Sequence, residues 1–328
     1  MSPGSRFNEF RVRLKPSLDE FKFMVKRLRK SPLSMLGIAI IVFFLAVAFL
    51  APVLAPAQGP NPFMMPHVNN SFEPTPRPPS AEAPFGTAQY QYDIYYGVVW
   101  GAITAFRTGI FVTFSSILIG LVIGGVSAYY GGVVDEIMMR FTDIIFAFPG
   151  LVLAMAFVIA LPQNLSINLG LTTVSFVLSR LDRVLIALVV VGWSGYARLI
   201  RGEVLRVKTE DYVEAAKAVG CSDLRVMVRH ILPNAIYPLM IAASLDIGAI
   251  VLSAAALSFL GIGSDLGYAD WGQLIYASRN YIYNTPQAPL AYWFTFAVPG
   301  AFIFTFVLGW NLLGDALRDV LDPMLRRR

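Results

Sequence analysis

Long apolar segments separated by short polar ones dominate the chain. There are six such apolar segments, and each is about long enough to cross the roughly 30 Å hydrocarbon layer as an α-helix. They are residues 34–54, 108–130, 144–161, 184–200, 236–259 and 291–313. The fourth is the shortest, because Arg180, Asp182 and Arg183 interrupt the apolar run before it. The pattern predicts an all-α, multi-pass membrane protein with six transmembrane helices.

Two long segments lie outside these spans. Residues 1–33 form a basic N-terminal segment, in which Leu18, Phe21, Val25 and Leu28 fall on one helical face. This pattern predicts an interfacial helix on the inner leaflet, and an unstructured basic arm is the alternative. Residues 55–107 contain nine prolines, a composition that does not build its own core. We predict a long extracytoplasmic loop, ordered against the membrane domain or a partner.

A polar island at residues 209–234 lies between the fourth and fifth spans. Thr209 is predicted to cap a helix whose first turn carries Glu210 and Asp211, because negative charge suits the N-terminal end of the helix dipole. Gly220 is predicted to end this helix in the left-handed conformation, which glycine adopts without steric cost.

The second half of the island is predicted to be another short helix. It starts at Ser222, and Pro233 is expected to separate it from the next span. Ala215 and Ala216 in the first helix are small enough to let the surface of another protein approach closely. The island is therefore predicted to be a helix–turn–helix that docks a partner at the membrane surface. The alternative is a solvated loop without a partner.

Composition and charge agree with a membrane protein. With 56% hydrophobic and 14% charged residues and a mean hydropathy of +0.61, the chain is too apolar for a soluble globular domain. On the predicted topology, 21 of its 26 Lys and Arg residues lie on one side of the membrane. Because cytoplasmic segments retain positive charge, both termini and the island are predicted to be cytoplasmic. The net charge of +5 reflects this asymmetry and does not indicate binding to nucleic acid.

The sequence shows no catalytic or metal site. It has no phosphate-binding Gly-x-x-x-x-Gly-Lys motif, so it is not predicted to be an ATPase. An intramembrane hydrolase would need a nucleophile beside a His, and the spans contain none. His67 and His230 lie on opposite predicted sides, and the single Cys221 cannot form an intrachain disulfide.

Asp246 is the one acidic residue deep in a predicted span. A charge there is costly, so Asp246 should face a cavity, a partner helix or a subunit interface. It either contacts a substrate amine or a gate, or it makes a packing hydrogen bond with a neighbouring Ser, Thr or Arg. The aromatic residues near the last outer loop, including Trp271, predict an interfacial belt. Gly120, Gly124 and Gly125 predict close helix packing.

The island also carries a family resemblance. Glu214-Ala215-Ala216, Gly220 and the run His230-Ile231-Leu232-Pro233 resemble the EAA loop of the membrane subunits of bacterial ABC importers. Further runs are similar to the dipeptide and oligopeptide branch, specifically its second (DppC-like or OppC-like) permease: Tyr129-Tyr130-Gly131-Gly132, residues 192–198, residues 257–261 and residues 311–315. Ala88 and Ala254 depart from the pattern, since acidic residues are expected at both positions.

The resemblance implies a type I ABC importer permease fold. It implies a five-helix core at residues 108–313, which includes a cytoplasmic coupling loop at 201–233, and a cytoplasmic tail at 314–328. The coupling residues that it indicates are Glu214, Ala215, Ala216, Gly220, Leu232 and Pro233.

The resemblance also implies partners. These are a second homologous permease (DppB-like or OppB-like), two ABC ATPase subunits that carry ATP and Mg, and an extracytoplasmic solute-binding protein, all at the cell (inner) membrane of a bacterium or archaeon. No cofactor is expected in this chain, and membrane lipid surrounds it. Peptides are the expected substrates, and nickel, glutathione and oligosaccharides are alternatives. A secondary transporter that works without ATPases would need ionisable groups along its spans, of which the sequence shows one.

Overall fold

The computed structural model describes Leu28 and residues 31–168, 173–282 and 290–321. Apart from Leu28, the predicted interfacial helix before residue 30 lies outside the described residues, and so do residues 322–328. The predicted cytoplasmic tail is helical over residues 314–321, because the last helix continues to Leu321.

The described residues form twelve α-helices and one two-stranded hairpin. The helices are α1 (Pro32–Leu54), α2 (Ile94–Tyr130), α3 (Gly132–Phe146), α4 (Gly150–Ala160), α5 (Arg180–Val207), α6 (Asp211–Ala218), α7 (Asp223–Val226), α8 (Leu232–Ala235), α9 (Tyr237–Phe259), α10 (Trp271–Ala277), α11 (Arg279–Ile282) and α12 (Phe294–Leu321). Strands β1 (Asn164–Asn168) and β2 (Thr173–Val177) pair antiparallel, which is a small local exception to the predicted all-α fold.

Five described helices are long and apolar enough to cross a membrane, and the count is six if the bent pair α3 and α4 is one broken span. The prediction of one continuous helix at residues 144–161 is wrong, because the chain bends by 91° between α3 and α4. The break contains Pro149, which lacks an N–H and disfavours helical geometry in Phe148 before it.

Two spans begin earlier than their apolar runs predict. Helix α2 begins at Ile94, not near residue 108, because the Asp93 carboxylate caps it by accepting hydrogen bonds from the backbone N–H groups of Tyr95 at 2.8 Å and Tyr96 at 3.4 Å. The α5 N-terminus is closed by a capping box between Ser179 and Asp182. The charged segment 180–183, which interrupts the apolar pattern, therefore forms the first turn of α5.

The bundle has two ends, which we call the proline-rich end (residues 55–93 and the turn after α9) and the basic end (residues 198–236). At the proline-rich end, residues 55–93 are ordered against the helices. Met65 N–H donates to Gly267 O at 2.7 Å, and Trp100 Nε1 donates to Ala55 O at 2.8 Å. Buried Gln91 accepts a hydrogen bond from Thr87 Oγ1 at 3.0 Å. Of the two predicted modes of ordering, packing on the membrane domain is the one observed.

An aromatic core joins α1, α2, α10 and α12. Trp271 is buried at its centre, with its ring 5.7 Å from Phe44 and 5.5 Å from Phe306 between centroids. Its Nε1 donates to Val98 O at 3.0 Å. The prediction that Trp271 belongs to an interfacial belt is wrong, because α10 turns back into the bundle.

Asp270 fixes this inward turn and was not singled out from the sequence. It caps α10 by accepting from Gly272 N at 2.9 Å, and it also accepts from Ser258 Oγ at 2.6 Å and Ser264 Oγ at 2.9 Å. Burial raises the pKa of this carboxyl, and the two serine hydroxyls oppose that rise. The only signal in the sequence was an Asp directly before a Trp-Gly pair.

Candidate functional site

The first helix of the polar island forms as α6. Its cap position is Glu210, so the prediction of Thr209 as the cap is wrong. The Thr209 hydroxyl instead donates to Arg206 O at 2.8 Å, at the end of α5. Gly220 ends the helix with φ of +81°, as predicted, and Cys221 N–H returns to Ala216 O at 3.1 Å.

The second half of the island is a continuous irregular helix. It contains α7, a π-helical turn at Met227–Ile231, and α8. Pro233 follows the π-helical turn with one residue between them, and the helix continues through it to Ala235, so the prediction that it ends the helix is wrong. The helix ends at Ala235, and α9 begins at Tyr237 after the single residue Ile236.

One face of α6 packs into the protein. Val213 and Ala216 are buried in an apolar cluster, whose other members include Val204, Val226 and Ile231. Ala216 is therefore turned away from any partner, contrary to the prediction that both alanines face one, while Ala215 and Glu214 are exposed. Leu232 is half-buried against the same cluster, and Pro233 is exposed.

Polar contacts tie the island to the end of α2. The Tyr129 hydroxyl donates to Asp223 Oδ1 at 2.6 Å, and Lys208 Nζ donates to Tyr129 O at 2.6 Å. Lys217 Nζ lies 5.6 Å from the centre of the Tyr129 ring, in the range of a cation–π contact. In the sequence, Tyr129 was notable only as part of the Tyr129-Tyr130-Gly131-Gly132 resemblance. Its contacts with the island depend on the fold.

Two ion pairs fix α3 to α5 at the same end. Arg201 donates from Nε at 2.6 Å and from Nη2 at 2.5 Å to the two oxygens of Asp135, and Ser127 Oγ also donates to this carboxylate. Arg198 donates to Asp143 at 2.6 Å. The forked, charge-assisted pair of Arg201 with Asp135 is geometrically specific, and the single bond of Arg198 to Asp143 adds a second link between α3 and α5.

The outward surface of the island is apolar as well as charged. Val219, Leu224 and Val228 are 79%, 75% and 56% exposed, and Glu214 on α6 is exposed as well. Large apolar side chains grouped on a polar end of a protein mark a site of contact with another protein. The arrangement is a short helix that is fixed from behind and presents a mixed apolar and acidic surface.

Asp246 lies on α9, one helix away from this site. It is half-buried beside the Tyr196 hydroxyl of α5, which makes no hydrogen bond of standard geometry within the described residues. The neighbour is a tyrosine, not the Ser, Thr or Arg that the packing hypothesis named. Because Tyr196 belongs to the apolar cluster under the island, Asp246 is placed where α5 and α9 meet.

We predict that Asp246→Asn assembles and transports nearly normally, because Asn keeps the shape and the polar contact with Tyr196. Asp246→Leu removes both and should weaken assembly. The measurement is assembly of the complex on size-exclusion chromatography together with substrate uptake. If both variants assemble and both lose uptake of cationic substrates, Asp246 contacts substrate; if both behave as wild type, it has neither role.

The sequence model of the family described as "binding-protein-dependent transport system inner membrane component" matches residues 116–327, which include the whole island. The chain belongs to this family. A second model, the N-terminal transmembrane domain of oligopeptide transport permease C, matches residues 21–71.

The relatives cover most of the chain. The dipeptide transport system permease protein DppC of Alkalihalophilus pseudofirmus is 33% identical over 92% of this chain and 89% of its own. The glutathione transport system permease protein GsiD of Escherichia coli O157:H7 is 32% identical over the same shares. Among solved structures, inward-facing MetNI methionine ABC transporter is 19% identical, over 67% of this chain and 96% of that chain, with a TM-score of 0.46.

This membership confirms the main predictions from the sequence. The protein is an integral membrane permease of a binding-protein-dependent importer, with the type I permease fold. Its relatives are named as permease proteins of a dipeptide and a glutathione transport system.

Proposed function

We propose that this permease forms half of the pore of an ATP-driven importer of short peptides. Two cytoplasmic ATPases bind the islands of this chain and of a second, homologous permease, and ATP and Mg belong to those subunits. A solute-binding protein delivers the peptide from outside. The proposal joins the family membership to one structural observation, the anchored and exposed helix α6.

The anchoring of α6 supports its role as a coupling helix. A lever transmits movement only if it is stiff, and α6 is held by the buried Val213 and Ala216 and by the contact between Tyr129 and Asp223. A displacement of α6 therefore moves the ends of α2 and α5 together. In this proposal, closure of the ATPases draws the two islands together and rearranges the spans.

Short peptides are the substrate class that the relatives favour. One relative is named for dipeptides and another for glutathione, which is itself a peptide of three residues. Both named substrates are small, contain peptide bonds and carry at least one free carboxylate.

The proposed function requires the basic end to be cytoplasmic. We therefore predict that Ser71→Cys, in a background with Cys221→Ser, reacts with an impermeant thiol reagent in intact cells. Ser222→Cys in the same background should react only after permeabilisation, because it lies on the side rich in Lys and Arg. Labelling of the second variant in intact cells would reverse the orientation.

The function itself is tested by reconstitution. The complex with its second permease, ATPases and binding protein is placed in proteoliposomes, and uptake of a labelled dipeptide, glutathione, a nickel chelate and an oligosaccharide is compared. We expect ATP-dependent uptake of the peptides alone. Uptake without ATPases would indicate a secondary transporter, and preference for nickel or sugar would reject the peptide assignment.

A further inference from the structure

A cavity opens at the proline-rich end, far from the island. It has a volume of about 270 Å³ and lies between α4, the first turn of α5 and the turn after α9. Its lining residues are Val158, Ile159, Arg180, Arg183, Gly261 and Ile262. Of the two arginines, Arg180 is exposed and Arg183 is half-buried, and a half-buried positive charge is costly without a partner.

Arg183 has no acidic partner in the described part of the chain. Its Nη1 donates weakly to Leu161 O at 3.4 Å, and its buried Nε has no hydrogen-bond acceptor among the described residues. The adjacent Asp182 is directed elsewhere, since it pairs with Arg107 at 2.9 Å and closes the capping box with Ser179. The Arg183 guanidinium therefore retains unused donors at the cavity.

The second arginine is only partly neutralised. Arg180 Nε donates to Asp265 at 2.9 Å, in a pair whose two side chains are more than half exposed. Arg180 and Arg183 are three residues apart and so share a helix face. Asp265 pairs with Arg180, and the positive charge of Arg183 has no ion pair among the described residues.

No other acidic side chain is at hand to supply the missing charge. The connecting segments 162–179 and 283–289 contain no Asp or Glu. The remaining acidic residues of this end have partners of their own: Glu73 pairs with Arg77, Glu82 with Asn69, Asp93 with the α2 N-terminus, and Asp270 with Ser258 and Ser264. An anion that pairs with Arg183 therefore has to come from outside the described residues.

We propose that this cavity receives the free carboxylate of the peptide substrate, held by Arg183 with support from Arg180. The inference rests on the proposed peptide function. The planar guanidinium matches a carboxylate with two parallel hydrogen bonds. Val158, Ile159 and Ile262 offer an apolar wall for the last side chain. The volume lies below that of sites for whole small molecules, so the cavity accommodates one end of a peptide.

Uptake of two matched peptides tests the proposal. The reconstituted complex in zwitterionic lipid is given Ala-Leu or its C-terminal amide, each at a concentration that saturates the binding protein. Arg183→Met should lower uptake of the free acid at least about tenfold, because a charge-assisted pair is lost, and should change uptake of the amide little. Arg77→Met, which removes an exposed arginine at the same end, is the matched control and should leave both unchanged.

A binding measurement separates this site from the transport function. Thermal stability of the purified complex is measured with N-acetyl-leucine and with its amide. We expect the acid alone to raise the melting temperature of wild type, and neither compound to raise that of Arg183→Met. This result in a complex that transports no peptide would retain the carboxylate site and reject the proposed function.

Several outcomes would overturn the proposal. Equal loss of acid and amide uptake in Arg183→Met would make Arg183 a structural residue, and unchanged uptake would leave the cavity without a role in transport. Stabilisation of wild type by anionic lipid but not by N-acetyl-leucine would assign the site to a lipid phosphate. If Arg183→Met prevents assembly, Arg183→Lys is used for the same comparisons of acid and amide. Lys keeps the positive charge but cannot form the two parallel hydrogen bonds of a guanidinium.

Discussion

Gly220→Trp and Glu214→Lys are expected to abolish ATP-coupled uptake while the protein stays inserted and assembled. Both residues lie on the exposed surface of the island, and apart from its two chain neighbours no residue lies within 4 Å of a Cβ built at Gly220. A Trp there projects outward, where the ATPase is proposed to bind. Because a few central residues carry most of the free energy of an interface, each variant should weaken coupling by roughly 2 kcal/mol or more, about thirtyfold.

The controls separate loss of docking from loss of local structure. Gly220→Ala introduces the strain of a positive φ without the bulk, so it should lose much less uptake than Trp. Gly59→Trp places the same side chain in open space at the proline-rich end and should be neutral. The measurements are ATPase activity with binding protein present and peptide uptake in proteoliposomes. Normal uptake in both island variants would show that α6 does not couple the two activities.

Gly124→Val is expected to prevent stable folding, whereas Gly125→Val should be tolerated. A Cβ at Gly124 would lie 2.1 Å from Ala197 O and 2.4 Å from Ile200 Cγ2, because α2 and α5 are in backbone contact there. A Cβ at the adjacent Gly125 meets nothing nearer than Leu232 Cδ2 at 4.0 Å. Overpacking of this kind costs about 1–3 kcal/mol or more, and the carbonyl cannot move without its helix.

This pair of variants is matched in chemistry, span and position in the sequence. The yield of monodisperse protein in detergent and its melting temperature are the measurements. We expect a large loss for Gly124→Val and a change of less than about 1 kcal/mol for Gly125→Val. Similar behaviour of the two would mean that α2 and α5 do not pack as closely as described.

The spans and the island were predictable because they depend on local chemistry. An apolar run long enough to cross the hydrocarbon layer favours a helix, because a helix satisfies its backbone hydrogen bonds within the segment. Such a run can be recognised in the sequence without knowledge of the fold. Gly220 was predictable for the same reason, since a left-handed residue after a helix favours glycine. The asymmetry of Lys and Arg likewise predicts orientation from the sequence alone.

The helix boundaries were less predictable. Asp93 and Ser179 lie outside the apolar runs, yet their side chains satisfy backbone N–H groups and extend α2 and α5 beyond the hydrophobic segment. Pro233 was predicted to end its helix, yet the helix runs through it to Ala235, directly after a π-helical turn. Apolar runs indicate which residues lie in the membrane, whereas hydrogen bonds to the first backbone N–H groups decide where a helix begins.

Only the tertiary structure decided which faces are covered. Ala215 and Ala216 are alike in the sequence, but α6 packs on α5 and the π-helical turn, so one is exposed and the other buried. Tyr129 anchors Asp223 across 94 residues of chain, and Trp271 is drawn into the bundle by partners on α1, α2 and α12. The sequence by itself determined that this is a multi-pass membrane protein with a permease-like polar island, since composition and short motifs can be read without knowing the fold. The site's buried and exposed faces depend on contacts between distant segments, which no local pattern specifies.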